Sequence, residues 1–237
     1  MLPVLNSSVR LTKQLRKDKE QSSVCLKPMS ISLYKRLEPE KLSLEGHAKG
    51  LLGKDCVLIQ EGKDILESRF GIFGVVHLLL NFYEATFLLE IGVLEVLDAK
   101  GDKVEKRRIL DHAKKEQTSF TLTYPVYRHF CQRGWYIRSG LNYGTNFVLY
   151  PDKPDSCHSV FAVLVLGPDE EMPAYKLFGA VRSCGSALKT LLIAIPVKVV
   201  ECLDEEVKVK VISCRRWDPN HERISKGLDA LQIIPKQ

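Results

Sequence analysis

The sequence lacks an apolar run long enough for a membrane-spanning helix, which needs about 18 to 20 consecutive apolar residues. The longest candidate, residues 70–80, is interrupted by Gly71, Gly74 and His77. No two of the seven cysteines have the spacing of a zinc site. Scattered cysteines in odd number are typical of reduced thiols in an intracellular protein. We therefore expect no membrane span and no metal or disulfide framework.

Several catalytic signatures are also missing. The sequence has no glycine loop that would cradle a phosphate, and no Ser/His/Asp arrangement. Residues 118–217 show no paired acidic residues on neighbouring predicted strands, which argues against a metal-dependent nuclease. No cofactor is expected.

The positive charge is concentrated at the N-terminus. The chain of 237 residues has a net charge of +6, and residues 1–44 hold nine Lys/Arg against four Asp/Glu, a net of +5. Residues 45–237 are therefore nearly neutral, so an anionic partner must meet a local patch. The first 17 residues are basic and free of acids, which is compatible with a transit peptide but favours a solvated tail.

The pattern of turns and periodicities predicts an α+β protein. We expect a small N-terminal α+β domain, followed by a C-terminal mixed β-sheet domain flanked by helices. Residues 1–44 are predicted to be a flexible basic extension with one possible strand at 30–37. The two domains are predicted over 45–115 and 118–217, and a polar tail over 218–237.

Local sequence patterns predict where the main helices and strands lie. Asn81 and Glu84 fit a capping box, and Gly92 fits a C-terminal cap, so a helix is predicted between them. Further helices are predicted over 63–69, 103–115, 124–133 and 174–189. Strands are predicted over 55–60, 94–97, 135–138, 146–150, 159–166, 190–195 and 207–213.

Three side chains in the C-terminal half form a set that is sufficient to break RNA without a metal: the phenol of Tyr150, the imidazole of His158 and the ammonium of Lys189. Each also has an ordinary structural explanation. A tyrosine at a strand end usually packs, a histidine in a proline-bearing loop is usually solvated, and a lysine at a helix end complements the helix dipole.

The motifs around these residues resemble the catalytic domain of the tRNA-intron (tRNA-splicing) endonuclease family. The matching segments are YPVYRHFCQRGWYIRSGLNYGTNFVLY, then HSVF, AYKLFGAVRSCGSALKTLL and VISCRRW. The segment HLLLNFYEATFLLEIGVLEVLD is similar to the end of the family's N-terminal domain. The RGW, GLNYGT and SCRRW patterns most resemble the eukaryotic catalytic subunit that cuts the 5′ splice site.

The resemblance implies a metal-independent endoribonuclease that acts on intron-containing pre-tRNA. It implies that Tyr150, His158 and Lys189 are the catalytic triad, and that Arg182 and Arg216 are a pair that holds an RNA base. It further implies a nuclear heterotetramer with other endonuclease subunits. A non-catalytic RNA-binding or structural subunit of the same complex is the alternative.

The implied reaction is attack of the RNA 2′-hydroxyl on the adjacent phosphate, which leaves a 2′,3′-cyclic phosphate and a 5′-hydroxyl. By resemblance, Tyr150 is the base, His158 the acid and Lys189 the electrostatic stabiliser. A free phenol has a pKa of about 10, so Tyr150 needs a nearby cation or else orients the 2′-hydroxyl. The sequence departs from the family pattern at Asn142 and Asn146, near the tyrosine.

Two further expectations concern charged side chains. Arg182 and Lys189 are seven residues apart, so a helix through both would place them on one face. Arg138 and Lys176 are expected to be ordinary solvated charges.

Overall fold

The computed structural model describes residues 44, 46–67, 69–74, 76–199 and 207–215, all within one compact unit. Residues 1–43, which include the strand predicted at 30–37, and the tail 218–237 lie outside this part of the chain. The domain boundaries stay a prediction.

The N-terminal half folds around a mixed sheet of five strands. They are β1 (Ala48–Leu52), β2 (Val57–Glu61), β3 (Ile72–Phe73), β4 (Leu78–Leu80) and β5 (Leu94–Leu97). Their order is β3-β4-β2-β1-β5, with β1 and β5 parallel and the other pairs antiparallel. Helices α1 (Lys63–Leu66), α2 (Phe82–Glu90) and α3 (Lys106–Glu116) accompany it.

Helix α2 begins and ends where local signals predict. The Asn81 side chain accepts a hydrogen bond from Glu84 N at 2.9 Å, and the Glu84 carboxylate accepts one from Asn81 N at 3.0 Å. This reciprocal pair satisfies two N–H groups that the first turn leaves unpaired. Gly92 follows the helix with φ of 76°, which only glycine adopts without strain.

The C-terminal half forms a second mixed sheet. Its strands are β6 (Tyr136–Ser139), β7 (Phe147–Tyr150), β8 (Phe161–Val165), β9 (Thr190–Pro196) and β10 (Val209–Cys214). Their order is β10-β9-β8-β7-β6, with β8 and β9 parallel and the other pairs antiparallel. Helix α4 (Phe120–Gln132) precedes the sheet, and helix α5 (Ala174–Ser186) makes the crossover from β8 to β9. The predicted α+β class is confirmed.

Helix α5 is three residues shorter than predicted. A Schellman motif ends it: Lys189 N donates to Cys184 O at 2.8 Å, and Leu188 N donates to Gly185 O at 3.1 Å. Leu188 has φ of 55°, the left-handed conformation that glycine usually supplies at this place.

Lys189 therefore belongs to the segment that enters β9 rather than to the helix. The expectation that a continuous helix places Arg182 and Lys189 on one face is wrong, because the left-handed residue between them turns the chain. Lys189 instead takes its position from β9.

Aromatic side chains join the two halves. The Tyr83 ring of α2 stacks on Phe120 and Tyr127 of α4, at centroid distances of 5.0 and 5.5 Å. It also meets Phe147 of β7 edge to face at 5.3 Å. Such offset and edge-to-face pairs add to the free energy of burial. This cluster ties β7, whose last residue is Tyr150, to the helices beneath.

Arg138 is not the solvated charge that the sequence suggests. Its Nη1 lies 3.3 Å from Glu84 Oε1, and Glu84 is only 2% exposed. A buried carboxylate needs a partner because desolvation disfavours its charge. The prediction fails here because the partner lies 54 residues away in the sequence.

Candidate active site

Tyr150 and His158 lie at the same edge of the second sheet. Tyr150 is the last residue of β7. After a loop, Val160 N donates to Leu149 O at 2.9 Å, so the returning chain pairs beside the end of β7. His158 precedes this pairing by two residues. Within the loop, Ser156 N and Oγ both bond to Lys153 O at 2.9 Å, which orders the segment that carries the histidine.

Lys189 reaches the same edge from a third strand. β9 runs parallel to β8, with Thr190 opposite Phe161, and Thr190 N donates to Val160 O at 3.0 Å. Lys189 directly precedes this contact. Its Nζ donates to Ser159 O at 3.1 Å, and Ser159 is the residue that follows His158. The three predicted residues therefore occupy the end of β7 and the entries to β8 and β9.

The three side chains differ in their surroundings. His158 is exposed, while Tyr150 and Lys189 are half-buried. Tyr150 packs against a buried cluster formed by Val148, Ala162, Cys184 and Leu191. Among the described residues, no hydrogen bond joins the three side chains directly. An RNA linkage bound at this edge would lie near a phenol, an imidazole and an ammonium, which are carried by the neighbouring ends of three strands.

The Lys189 ammonium has a second contact. Its Nζ lies 4.9 Å from the centroid of the Tyr143 ring, which is cation–π distance. Burial lowers the pKa of Lys189 below its ordinary value, and the Cys184 thiol acts in the opposite direction. Tyr143 belongs to the GLNYGT motif, and its contact with the lysine is not predicted from the sequence. Nothing local indicates that the NYG turn approaches a lysine 46 residues later.

The turn that carries Tyr143 is held by its own backbone. Residues Leu141–Tyr143 form a single 3₁₀ turn, and Tyr143 N donates to Gly140 O at 2.9 Å. A Cβ at Gly140 would collide with the Thr145 hydroxyl, and Gly144 has φ of 68°. Both glycines of the motif are therefore needed by the geometry.

The two asparagines that depart from the family pattern have different surroundings. The Asn146 side chain accepts a hydrogen bond from Val165 N at 2.8 Å, so it completes the pairing between β7 and β8. An aspartate would also accept this bond. Asn142 is exposed on the 3₁₀ turn.

Arg182 lines a groove between α5 and β10 with a volume of about 620 Å³. Arg215 lies across the groove, and its Nε donates to the hydroxyl of Thr190, the residue after Lys189. The predicted partner, Arg216, lies outside the described residues. The groove is lined by Leu177, Phe178, Val181, Arg182, Ser213, Cys214 and Arg215.

The described part of the chain has no metal site, no membrane-spanning helix and no disulfide. It contains no group of three His, Cys, Asp or Glu side chains arranged to hold a metal ion. None of its helices has the length and apolar character to cross a membrane. Its five cysteines, Cys56, Cys131, Cys157, Cys184 and Cys214, are free thiols.

Comparison with known proteins supplies the family. Residues 120–202 match the family described as the catalytic C-terminal domain of tRNA intron endonuclease. The chain is 30% identical to the tRNA-splicing endonuclease of Methanopyrus kandleri over 146 residues, which cover 60% of this chain and 79% of the relative. It is 36% identical to the tRNA-splicing endonuclease of Hyperthermus butylicus, over 49% of this chain and 64% of the relative. It is 32% identical to the tRNA-splicing endonuclease of Pyrobaculum arsenaticum, over 51% of this chain and 66% of the relative.

The matched segment runs from α4 to just beyond β9, so it includes the three strand ends and helix α5. The similarity to the Methanopyrus kandleri protein extends over most of that relative's length. The chain belongs to the tRNA-intron endonuclease family.

Proposed function

We propose that the chain is a catalytic subunit of a tRNA-splicing endonuclease, which cleaves intron-containing pre-tRNA. Family membership supports the substrate, because the relatives carry the name tRNA-splicing endonuclease. One observation carries the catalytic part: Lys189 Nζ bonds to the residue after His158, at the edge where the strand of Tyr150 ends.

The reaction uses the nucleophile that RNA itself provides. Tyr150, acting in its deprotonated phenolate form, accepts the 2′ proton and becomes a phenol while the 2′-oxygen attacks the adjacent phosphorus. The bond from phosphorus to the 5′-oxygen breaks, and this oxygen takes a proton from the His158 imidazolium. The products are a 2′,3′-cyclic phosphate and a 5′-hydroxyl, and no metal is required for any of these transfers.

Lys189 stabilises the negative charge that develops on the phosphoryl oxygens in the transition state. A fixed cation at a partly dehydrated site does this more effectively than a solvated one. The lysine is half-buried, and its ammonium is held by the Ser159 carbonyl rather than moving freely in water. His158 is exposed, which suits a group that must meet a large substrate.

The groove beside the catalytic edge supports a role for Arg182 in binding RNA. An arginine and an exposed aromatic, Phe178, share its wall one helical turn apart, and both can stack on an unpaired base. Arg216 is proposed as the second arginine, on the sequence pattern alone.

The finer assignments rest on the RGW, GLNYGT and SCRRW motifs. On these we propose that the subunit cuts the 5′ splice site, works in a heterotetramer with other endonuclease subunits and resides in the nucleus. Imaging of the tagged full-length chain checks the location, and the mass of the purified complex checks the assembly.

The test of activity uses the full chain purified with its partner subunits. Intron-containing pre-tRNA is incubated in EDTA and the end groups are analysed. We expect cleavage with a 2′,3′-cyclic phosphate and a 5′-hydroxyl. His158→Ala should lower the rate at one splice site by about 10²- to 10⁴-fold.

The matched control is His77→Ala, which removes an exposed histidine beside the first sheet. It should leave the rate unchanged. Equal cleavage by His158→Ala and the unmodified complex would favour the non-catalytic alternative. Loss of cleavage in EDTA, restored by a divalent cation, would favour a metal-dependent nuclease.

A further inference from the structure

The Lys189 ammonium is held between a backbone carbonyl and an aromatic ring. Ser159 O accepts its hydrogen bond at 3.1 Å, and the Tyr143 ring lies beneath it at 4.9 Å. We propose that Tyr143 is a positioning residue, whose ring holds the charged Lys189 ammonium at the catalytic edge. The inference rests on the proposed function, because Lys189 is one of its three reacting groups.

The ring compensates for the partial burial of the lysine. Removing an ammonium from water disfavours its charged form, and burial lowers the pKa of Lys189 accordingly. The negative face of an aromatic ring favours the charged form within about 6 Å of its centroid. Tyr143 therefore helps to keep the lysine protonated without a carboxylate, whose negative charge would repel the RNA phosphate.

Hydrogen bonds within the turn fix the position of the Tyr143 ring. Tyr143 N donates to Gly140 O at 2.9 Å, and the Thr145 hydroxyl donates to the same carbonyl at 3.2 Å. The ring also packs against the buried cluster of Val148, Ala162, Cys184 and Leu191, against which Tyr150 packs as well. The Tyr143 ring therefore contacts both this buried cluster and the Lys189 ammonium.

The proposal assigns the effect to the ring face and not to the phenol hydroxyl. Tyr143→Phe keeps the face, so cleavage of saturating pre-tRNA by the full complex should stay within about twofold. Tyr143→Leu keeps an apolar side chain but removes the face, so kcat should fall about 2- to 30-fold, with KM little changed. Tyr143→Met is a second variant without a ring, in case the leucine disturbs folding.

Leu141→Ala is the matched control in the same turn, since Leu141 is 80% exposed. It should leave kcat unchanged. Thermal unfolding of each complex identifies any variant that no longer folds. If Tyr143→Leu is such a variant, Tyr143→Met takes its place in the test.

A double-mutant cycle with Lys189→Met separates positioning from packing. If Tyr143 acts through the lysine, Tyr143→Leu should lower kcat far less in the Lys189→Met background than in the unmodified complex. Effects that multiply fully would overturn the inference, as would a loss in Tyr143→Phe as large as that in Tyr143→Leu. Unimpaired cleavage by Lys189→Met would instead refute the catalytic role of Lys189 in the proposed function.

Discussion

Glu84 and Arg138 form an ion pair that links a helix of the first half to a strand of the second, with Glu84 Oε1 lying 3.3 Å from Arg138 Nη1. Glu84 lies on α2 in the first half, and Arg138 lies on β6 in the second. The same carboxylate also accepts hydrogen bonds from Gly71 N and Asn81 N, each at 3.0 Å. One buried side chain therefore caps a helix, fixes a loop and holds the neighbouring sheet.

Arg138→Met should lower the free energy of unfolding by about 3 kcal/mol, because it leaves a buried carboxylate without its cation. Burial already raises the pKa of Glu84, and loss of the arginine should raise it further. A group whose folded-state pKa is raised loses stability as the pH rises through that pKa. Urea denaturation should thus show a larger loss at pH 8 than at pH 5.

Arg107→Met is the control for this variant, since it removes an exposed arginine from α3. It should change the free energy of unfolding by less than about 0.5 kcal/mol. An equal effect of the two substitutions would contradict the role of the ion pair.

Substitutions of Asn146 test whether this departure from the family pattern affects stability near the site. Asn146→Ala should cost about 1 to 2 kcal/mol in the free energy of unfolding, because Val165 N loses its acceptor. Asn146→Asp keeps an acceptor and should be nearly neutral. Denaturant titrations of both variants check this, and an Asn146→Asp loss as large as that of Asn146→Ala would show that the amide has another role.

His129 makes the stability depend on pH. Burial, and then the charge of Arg133, lowers the pKa of His129 to about 3. A free histidine has a pKa of about 6.5, so the unfolded chain binds a proton that the folded chain does not. Stability is therefore lost as the pH falls from about 6.5 towards 3, by about 2 kcal/mol between pH 7 and pH 5.

His129→Gln should remove this part of the loss, so its stability should fall less between pH 7 and pH 5. His77→Gln, in an exposed position, should behave like the unmodified chain. Parallel pH profiles for all three proteins would show that His129 is not protonated on unfolding.

Arg182 should contribute to RNA affinity through the groove between α5 and β10. Arg182→Ala is expected to raise the Kd for pre-tRNA by about 5- to 20-fold, the effect of losing one stacking or phosphate contact. Lys176→Ala removes a charge from an exposed position of the same helix outside the groove lining, and should change the Kd less than about twofold. Filter binding at a fixed salt concentration measures both, and equal effects would indicate a general charge attraction.

Local chemistry made part of this fold predictable. The capping box of Asn81 and Glu84 and the turn at Gly92 are encoded within a few residues, so the limits of α2 follow from the sequence. The alternation over 207–213 likewise predicts β10, whose residues alternate between half-buried and exposed over 209–212. The end of α5 was not predictable, because a leucine rather than a glycine takes the left-handed position at 188.

For the candidate site, the sequence supplies candidate residues but not the contacts around them. The resemblance names Tyr150, His158 and Lys189, and their roles stay a prediction. The contacts around them depend on tertiary structure, because the parallel pairing of β8 and β9 brings Lys189 to Ser159 across 30 residues of chain. The position of Tyr143 under the lysine and the pairing of Arg138 with Glu84 follow from the same long-range packing, which no local pattern indicates.

The most direct test of the proposed chemistry replaces the 5′-oxygen at the splice site of the pre-tRNA with sulfur. A thiolate leaves without protonation, so a reaction that lacks only its general acid should recover on this substrate. We predict that His158→Ala, strongly impaired on the oxygen substrate, cleaves the sulfur substrate nearly as fast as the unmodified complex, whereas Tyr150→Phe and Lys189→Met stay impaired. An equal defect of His158→Ala on both substrates would contradict the account.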